Sequence, residues 1–455
     1  MAVAVEADLH QLRGYAGHDQ PEDDLLRACV HCGMCLPACP TYRLTGQEMS
    51  SPRGRLWMMK SVADGKLDLL DPAFDEQMYQ CLNCRACEAV CPSGVHYGPL
   101  VEAARAQLEQ HRPRPLWQRI ARTVMMRWLF GDDRRLRTLV HGLRLYQRAG
   151  LDQMVRRSGV LRVTNMQDLE AMMPPVPGPA LVPGQESWSP ANPRRRVSLF
   201  NTCMMGTVFS DTNRAAGRVM AHNGTAVDVP PRQQCCGALH VHAGMMESAR
   251  RLARINIDAF DQDDDRPIVV TAAGCGAALK EYGYLLKHDP NYAERSARFS
   301  ARIRDVTEYL VAEELVQPTV PVERTVTYQE PCHLAHAQRI TSQPRTLLNA
   351  IPGLTLIEMR ESSLCCGSAG IYNLIRRKMA EDLGDRKVEN AAATGAAEIV
   401  TANPGCAMQL RASVLRAGGD QGVVHIVDLL DEAYGGVEAA RQGRWATDAV
   451  MANEL

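Results

Sequence analysis

Eight cysteines in the first hundred residues follow one pattern, in which three cysteines occupy every third position and a fourth directly precedes a proline. The pattern occurs twice, at Cys29, Cys32, Cys35 and Cys39 and again at Cys81, Cys84, Cys87 and Cys91. Three thiolates at this spacing can surround one Fe4S4 cube, while the cysteine before proline reaches across to a second cube. The spacing therefore predicts two 4Fe-4S clusters.

This arrangement is typical of two-cluster ferredoxins, and it predicts crossed ligand sets. Cluster 1 would be held by Cys29, Cys32, Cys35 and Cys91, and cluster 2 by Cys81, Cys84, Cys87 and Cys39. The alternative is a pair of structural zinc sites, because C-x-x-C pairs also suit tetrahedral zinc. A structural zinc site does not require a fourth cysteine four residues after the third and directly before a proline, and this spacing occurs twice. The sequence therefore favours iron and sulfide.

The other eight cysteines belong to an internal repeat. Each copy has one cysteine after a strand-like run, a tandem pair before a glycine, and one after a Val-Val-Thr-Ala or Ile-Val-Thr-Ala run. The copies are Cys203, Cys235, Cys236 and Cys275, and Cys332, Cys365, Cys366 and Cys406, with spacings that agree to about one residue. Gly237 and Gly367 are expected to allow a tight turn beside each tandem pair.

Apolar strand-like runs alternate with helical patterns in this half of the chain, which indicates parallel sheets. Because loops at the carboxyl ends of parallel strands meet in space, the four cysteines of each copy are expected to converge. Three interpretations stay open for each quartet: a further iron–sulfur cluster, a zinc ion, or buried free thiols.

The predicted fold class is α+β, with a helical N-terminal two-cluster module followed by a duplicated α/β domain with parallel sheets. The predicted domains are 1–110 for the ferredoxin-like module, 111–173 for a basic amphipathic helical connector, 174–196 for a proline-rich linker without helix or sheet, 197–315 for the first repeat and 316–455 for the second.

The connector combines arginines with an apolar stripe that runs from Trp117 to Leu129 at helical spacing. Such a helix suits either the surface of an anionic membrane or a docking site on another subunit. A second helix is predicted after Pro52. On it, Trp57, Met58 and Met59 are expected to pack against the clusters. Arg53 and Arg55 are expected to be solvated charges, and the alternative is that they are donors near a partner.

Composition excludes several classes of function. The 455 residues carry 51 lysines and arginines against 52 aspartates and glutamates, so no global charge points to nucleic acid. The cysteines fall in metal-ligand spacings on a long chain, which indicates a reducing compartment. No export signal and no apolar run of roughly twenty residues is visible, so a cytoplasmic location is expected. Peripheral attachment to the inner face of the cell membrane is a further possibility. No G-x-G-x-x-G follows a strand, so the chain lacks a nucleotide fingerprint of its own.

The chain resembles the CCG-domain iron–sulfur proteins and, among them, the iron–sulfur subunits of bacterial glycolate oxidases. The resemblance lies in the two cysteine runs and in Pro52-Arg-Gly-Arg55, Gly274-Cys-Gly-Ala277, His336-Ala-Gln338 and Leu364-Cys-Cys-Gly-Ser-Ala-Gly370. Lactate-utilisation proteins, the anaerobic glycerol-3-phosphate dehydrogenase small subunit and heterodisulfide reductase subunits look similar in layout. The last differ, because their repeats end in a C-x-x-C pair, whereas Cys275 and Cys406 have no such neighbour.

The resemblance implies an oxidoreductase in which this chain transfers electrons and does not oxidise the substrate alone. An FAD-binding subunit would oxidise glycolate to glyoxylate, a second flavin-binding-type subunit would complete the hetero-oligomer, and a quinone would accept the electrons. The alternatives are a thiol or heterodisulfide reductase that uses a CCG cluster, and the iron–sulfur subunit of a lactate or glycerol-3-phosphate dehydrogenase.

Overall fold

The computed structural model describes residues 12–159, 175–176, 178–261 and 265–436. The chain forms two compact units. Among the described residues, the first contains those up to Pro115 together with His240–Met246, and the second contains those of Leu116–Leu239 and those from Glu247 onward. No described helix is long and apolar enough to cross a membrane.

The first unit is helical. Its α-helices are Asp23–Arg27, Pro40–Thr45, Pro52–Ala63, Pro72–Gln80, Ala86–Ala89 and Tyr97–His111, with a 3-10 turn at Glu48–Ser50. Three of these helices begin with a proline, whose fixed φ suits the first helical position. Side chains cap two of them, because Ser51 accepts from the Gly54 amide and Asp71 from the amide of Ala73. Their apolar faces enclose one core around Met59, Phe74 and Leu100.

The second unit contains two sheets, one for each repeat. The strands are β1 Ser187–Trp188, β2 Arg195–Leu199, β3 Thr225–Asp228, β4 Ile268–Val270, β5 Ile303–Asp305, β6 Arg324–Tyr328, β7 Leu354–Leu356, β8 Glu398–Thr401 and β9 Gly422–His425. The strand orders are β1-β3-β2-β4-β5 and β7-β6-β8-β9. All pairs except β1–β3 are parallel. The predicted fold class, with a helical module and a duplicated α/β domain, is confirmed.

The remaining helices lie mainly in the second unit. They are Leu116–Arg122, Asp133–Arg148, Leu151–Arg157, Ser210–His222, Ala238–His242, Met246–Ala259, Ala273–Lys280, Tyr282–Leu285, Ala293–Arg302, Val306–Ala312, Ser342–Asn349, Tyr372–Ile375, Arg377–Ala392, Pro404–Arg416 and Ile426–Ala433, with π-helical turns at Thr123–Leu129 and His333–Ala337. Strands of both sheets contribute to one core, in which Val269 and Val400 are fully buried.

One expectation for the proline-rich segment is wrong. Although no sheet was expected in residues 174–196, Ser187 and Trp188 form β1, which pairs antiparallel with β3 at the edge of the first sheet. An edge strand needs ladder hydrogen bonds on one side only, so neighbouring prolines do not prevent it. The Trp188 ring also covers Gly217, where a Cβ would lie 2.2 Å from the ring.

The basic connector is helical from Leu116 and continues through the π-helical turn at Thr123–Leu129. Its apolar stripe is largely uncovered, since Trp117 and Trp128 are 68% and 53% exposed, whereas Met126 is buried. The last part of the predicted connector, residues 160–173, lies outside the described residues.

Candidate metal centres

The two cysteine runs of the first unit differ in burial. Cys29 and Cys35 are half-buried and Cys32 is exposed, whereas Cys81 and Cys84 are buried. Burial raises the pKa of the Cys35 thiol to about 11, and the negative charges of Cys29 and Cys39 act in the same direction. Each thiolate raises the pKa of its neighbours by charge repulsion. The site therefore requires positive charge to hold three thiolates together.

The structure brings Cys39 to the second run. Burial raises the pKa of Cys87 strongly, and the neighbouring charges of Cys84, Cys81 and Cys39 raise it further. Those four cysteines are the set that the crossed pattern assigns to cluster 2. Cys91, the fourth cysteine of that run, is half-buried and accepts from the Val95 amide at 3.4 Å.

Hydrogen bonds to sulfur surround this group. The Asn83 amide donates to Cys81 Sγ at 3.3 Å, and Thr41 Oγ1 lies 3.2 Å from Cys39 Sγ. Donors of this kind stabilise thiolate ligands and tune a bound cluster.

Arg55 is the residue beside the cysteines whose burial the sequence interpretation missed. It was expected to be solvated, but it is only 1% exposed and donates to Gln77 O at 2.8 Å, Thr41 Oγ1 at 3.1 Å and Gln80 Oε1 at 3.0 Å. Burial acts to lower its pKa, but the negative charges of Cys81 and Cys39 outweigh burial and raise it. The guanidinium therefore supplies positive charge to the cysteines assigned to cluster 2.

Helical periodicity is the signal that could have located Arg55. It shares a helix face with Met58, Met59 and Val62, at spacings of three, four and seven residues, and all three are buried. The same periodicity places Trp57 on the opposite face, where it is 61% exposed. The expectation that Trp57 packs against the clusters is therefore wrong.

The first repeat gathers Cys203, Cys235, Cys236 and Cys275. Cys203 contacts Cys235, and Cys236 contacts both Cys235 and Cys275; these contacts, together with burial, raise the pKa of Cys203 and Cys236. Neutral groups hold the tandem pair, because Asn256 Nδ2 donates to Cys235 O at 3.0 Å and Tyr282 OH donates to Cys236 O at 2.8 Å.

The second repeat gathers Cys332, Cys365, Cys366 and Cys406, all of them buried. Cys332 Sγ lies 3.9 Å from Cys365 Sγ and 3.5 Å from Nδ1 of His333. Contacts with Cys365 and Cys406 lower the pKa of Cys366, and the charge of Lys387 acts in the same direction.

Asn403 links the two quartets. Its Nδ2 donates to Cys406 Sγ at 3.4 Å, while its Oδ1 accepts from the Gly274 amide at 3.1 Å, one residue before Cys275. Gln338 donates across the same boundary to Ala273 O at 2.9 Å. The start of the helix that carries Cys275 is therefore joined by direct hydrogen bonds to Asn403, which precedes the helix that carries Cys406, and to Gln338.

The predicted tight turns are present, with φ of 80° at Gly237 and 90° at Gly367. These conformations suit glycine, which has no Cβ. A Cβ on Gly367 would lie 2.5 Å from Ala380 O, whereas a Cβ on Gly237 would meet Ala249 Cα at 3.5 Å.

All sixteen cysteines are free thiols in the structure. Within the described ranges, no group of three or more His, Cys, Asp or Glu side chains has the arrangement needed to hold a single metal ion. What the structure does provide is buried sulfur with hydrogen-bond donors and cations beside it, and this donor set fits an anionic iron–sulfur centre.

Three family models match the chain. A 4Fe-4S dicluster domain matches residues 25–95, a cysteine-rich CCG domain matches 197–280 and 326–411, and the linker region of glycolate oxidase iron–sulfur subunits matches 117–173.

Similar proteins carry related names. The chain is 40% identical to a probable glycolate oxidase iron–sulfur subunit of Bacillus subtilis, over 95% of this chain and 99% of that protein. It is 35% identical to the glycolate oxidase iron–sulfur subunit of Escherichia coli, over 90% and 95%. It is also 27% identical to lactate utilization protein A of an Exiguobacterium strain, over 52% of this chain and 97% of that protein.

Proposed function

The chain belongs to the family of glycolate oxidase iron–sulfur subunits, and from this premise we propose that it carries electrons from a glycolate-oxidising flavoprotein to a quinone-type acceptor. The observation that carries the proposal is the arrangement of the sixteen cysteines in four groups. Two groups lie in the first unit, and the other two face each other in the second unit across Asn403.

The proposed ligand sets keep the crossed pairing: Cys29, Cys32, Cys35 and Cys91 for cluster 1, and Cys81, Cys84, Cys87 and Cys39 for cluster 2. Bound 4Fe-4S clusters supply one-electron transfer. The residues of the chain hold them and set their charge. Arg55 offsets the negative charge near Cys39 and Cys81, and the Asn83 amide stabilises the Cys81 thiolate.

In the second unit, each quartet is proposed to hold a further iron–sulfur cluster, with zinc as the alternative. Close thiol contacts and burial support occupation by a group that binds several thiolates. Asn403 supports an exchange of electrons between the two centres, since it donates to Cys406 Sγ and accepts from the Gly274 amide, next to Cys275.

The proposed partners are an FAD-binding subunit that oxidises glycolate and a second flavin-binding-type subunit. The reason is chemical: the sequence has no nucleotide fingerprint after a strand, so a two-electron catalyst must come from another chain. Such a flavin would supply two-electron chemistry, and the cysteines of this chain would hold the centres that carry single electrons.

The acceptor side is proposed to lie at the inner face of the cell membrane, on the connector. Trp117 and Trp128 are exposed on a segment rich in arginine, as in helices that lie at an anionic lipid surface. The test is co-sedimentation with vesicles that contain anionic lipid. Replacing both tryptophans by glutamate should reduce binding, whereas Trp57→Glu, which changes an exposed tryptophan in the other unit, should not. Equal binding by all three proteins would exclude the connector as the contact.

Lactate is the second candidate substrate of the complex, because lactate utilization protein A shares 27% identity with half of this chain. Co-purification decides between the substrates. The complex should contain flavoprotein partners, and its visible absorbance should bleach when glycolate is added anaerobically. Bleaching by lactate and not by glycolate would assign the second candidate, and bleaching by neither would contradict the proposed function.

A further inference from the structure

The two repeats place equivalent helices against their tandem cysteines. Cys275 and Cys406 are 131 residues apart, and the same offset relates Ala249 to Ala380. These two alanines face Gly237 and Gly367, the glycines that follow the two tandem pairs. The helices Met246–Ala259 and Arg377–Ala392 therefore occupy matching positions beside the two quartets.

The two helices carry different side chains at their eleventh residue. The first helix carries Asn256, a fully buried neutral amide that bonds Cys235 O and Tyr282 OH. The second carries Lys387, which is 1% exposed and donates to the backbone oxygens of Glu361 and Ser362, the latter at 3.1 Å. One repeat thus buries an amide where the other buries an amine.

The lysine is not neutralised by a direct ion pair. The nearby carboxylate of Glu361 is bound to Arg386, with two contacts of 2.7 Å. None of the ion pairs found among the described residues includes Lys387. Burial lowers the pKa of Lys387 to about 8, while the charges of Cys366, Cys365 and Cys406 act to raise it. His333, which contacts Cys332, is the other basic group at this quartet.

The first quartet has the opposite neighbour. Asp133 is 7% exposed, and its negative charge is among the causes that raise the pKa of Cys203. Burial raises the pKa of Asp133 itself to about 6, and Arg137 pairs with it. The first quartet therefore adjoins a carboxylate that is paired with Arg137, whereas the second quartet adjoins a buried ammonium group without a direct ion pair among the described residues.

From this asymmetry we infer that Lys387 is a positioning residue whose fixed positive charge makes the second-repeat centre easier to reduce than the first-repeat centre. Reduction adds one negative charge to a centre, and a buried cation stabilises that charge because little water screens it. Net charge is one of the factors that set cluster potentials. The inference rests on the proposed function.

The resulting step is a transfer of one electron. The first-repeat centre is oxidised by one electron and the second-repeat centre is reduced by one, while Lys387 keeps its proton. The electrons enter from the partner flavoprotein and leave to the quinone-type acceptor. The buried positive charge of Lys387 at the second repeat makes this direction favourable.

The test is a potentiometric titration of the full chain, purified anaerobically and followed by electron paramagnetic resonance, with iron and sulfide content measured alongside. Cys275→Ser and Cys406→Ser identify the signals of the first and second repeats. Lys387→Gln should shift the second-repeat signal to lower potential and leave the first-unit signals in place. Lys387→Arg, which keeps the charge, should stay close to the wild type. Asp133→Asn should shift the first-repeat signal to higher potential.

Two results would refute the role of Lys387 without refuting the proposed function. The first is an unchanged second-repeat potential in Lys387→Gln at full iron content. The second is an equal change of potential in the Gln and Arg variants, which would indicate an effect of packing and not of charge. Loss of the centre in Lys387→Gln with retention in Lys387→Arg would support the role. A wild-type chain without any redox signal from the second repeat would instead refute the proposed electron path, and the inference with it.

Discussion

Replacing Arg55 by methionine removes a buried cation while keeping an unbranched side chain. The guanidinium makes three hydrogen bonds, to Gln77 O, Thr41 Oγ1 and Gln80 Oε1. Its neighbour Arg53 offers a matched control on the same helix, because Arg53 lies at the surface and pairs with Glu48 at 2.6 Å.

The expected loss follows from the acceptors that Arg55 leaves behind. A buried acceptor without a donor costs roughly 1–3 kcal/mol. Three acceptors at the lower end of that range, together with the loss of charge beside Cys39 and Cys81, should lower the free energy of unfolding by about 3–5 kcal/mol. This is the usual cost of removing one partner from a buried charged pair. Arg53→Met should cost far less, since exposed ion pairs contribute little.

The assay is hydrogen–deuterium exchange of the full chain, read by mass spectrometry on peptides from the helix Pro52–Ala63. Exchange from a folded helix reports the free energy of its opening. A loss of about 3 kcal/mol or more corresponds to exchange faster by roughly a hundredfold, because 1.4 kcal/mol is tenfold. If Arg55→Met and Arg53→Met gave the same protection, the assignment of Arg55 as a structural and electrostatic support would be refuted.

Two further predictions concern the second unit. Gly367→Ala should lower the thermal unfolding midpoint more than Gly237→Ala, because only the new Cβ at Gly367 would lie 2.5 Å from Ala380 O. The midpoints are measured by circular dichroism, and equal shifts in the two variants would contradict the tight contact. Burial raises the pKa of Asp428 to about 8, well above that of an ordinary carboxyl, so the folded protein keeps a proton that the unfolded chain releases. The free energy of unfolding should therefore fall as the pH rises from about 4 to 8, and Asp428→Asn should remove this part of the dependence in urea titrations. An identical pH profile in the variant would show that Asp428 ionises normally.

Sequence patterns predicted the parts of this molecule that depend on local spacing. The cysteine runs indicate clusters because ligand offsets along the chain are set by the cube itself. The apolar runs before Cys275 and Cys406 indicate strands, and β4 and β8 lie there. The internal repeat predicted two related sheets, and the structure contains one for each copy.

What the sequence interpretation missed depends on contacts between distant residues. Arg55 is buried because Thr41, Gln77 and Gln80 come from other segments to meet it. Lys387 differs from its counterpart Asn256 on the equivalent helix of the first repeat, a difference that no local pattern reveals. No local sequence pattern predicts the contacts of Arg55 or of Lys387, although helical periodicity places Arg55 on a buried face.

The most direct test of the electron-transfer role is metal and sulfide analysis of the chain purified anaerobically, followed by reduction. The account predicts at least about eight iron and eight sulfide per chain, the content of two 4Fe-4S clusters, and bleaching of the visible absorbance on reduction. A colourless chain that contains zinc and no iron would contradict it.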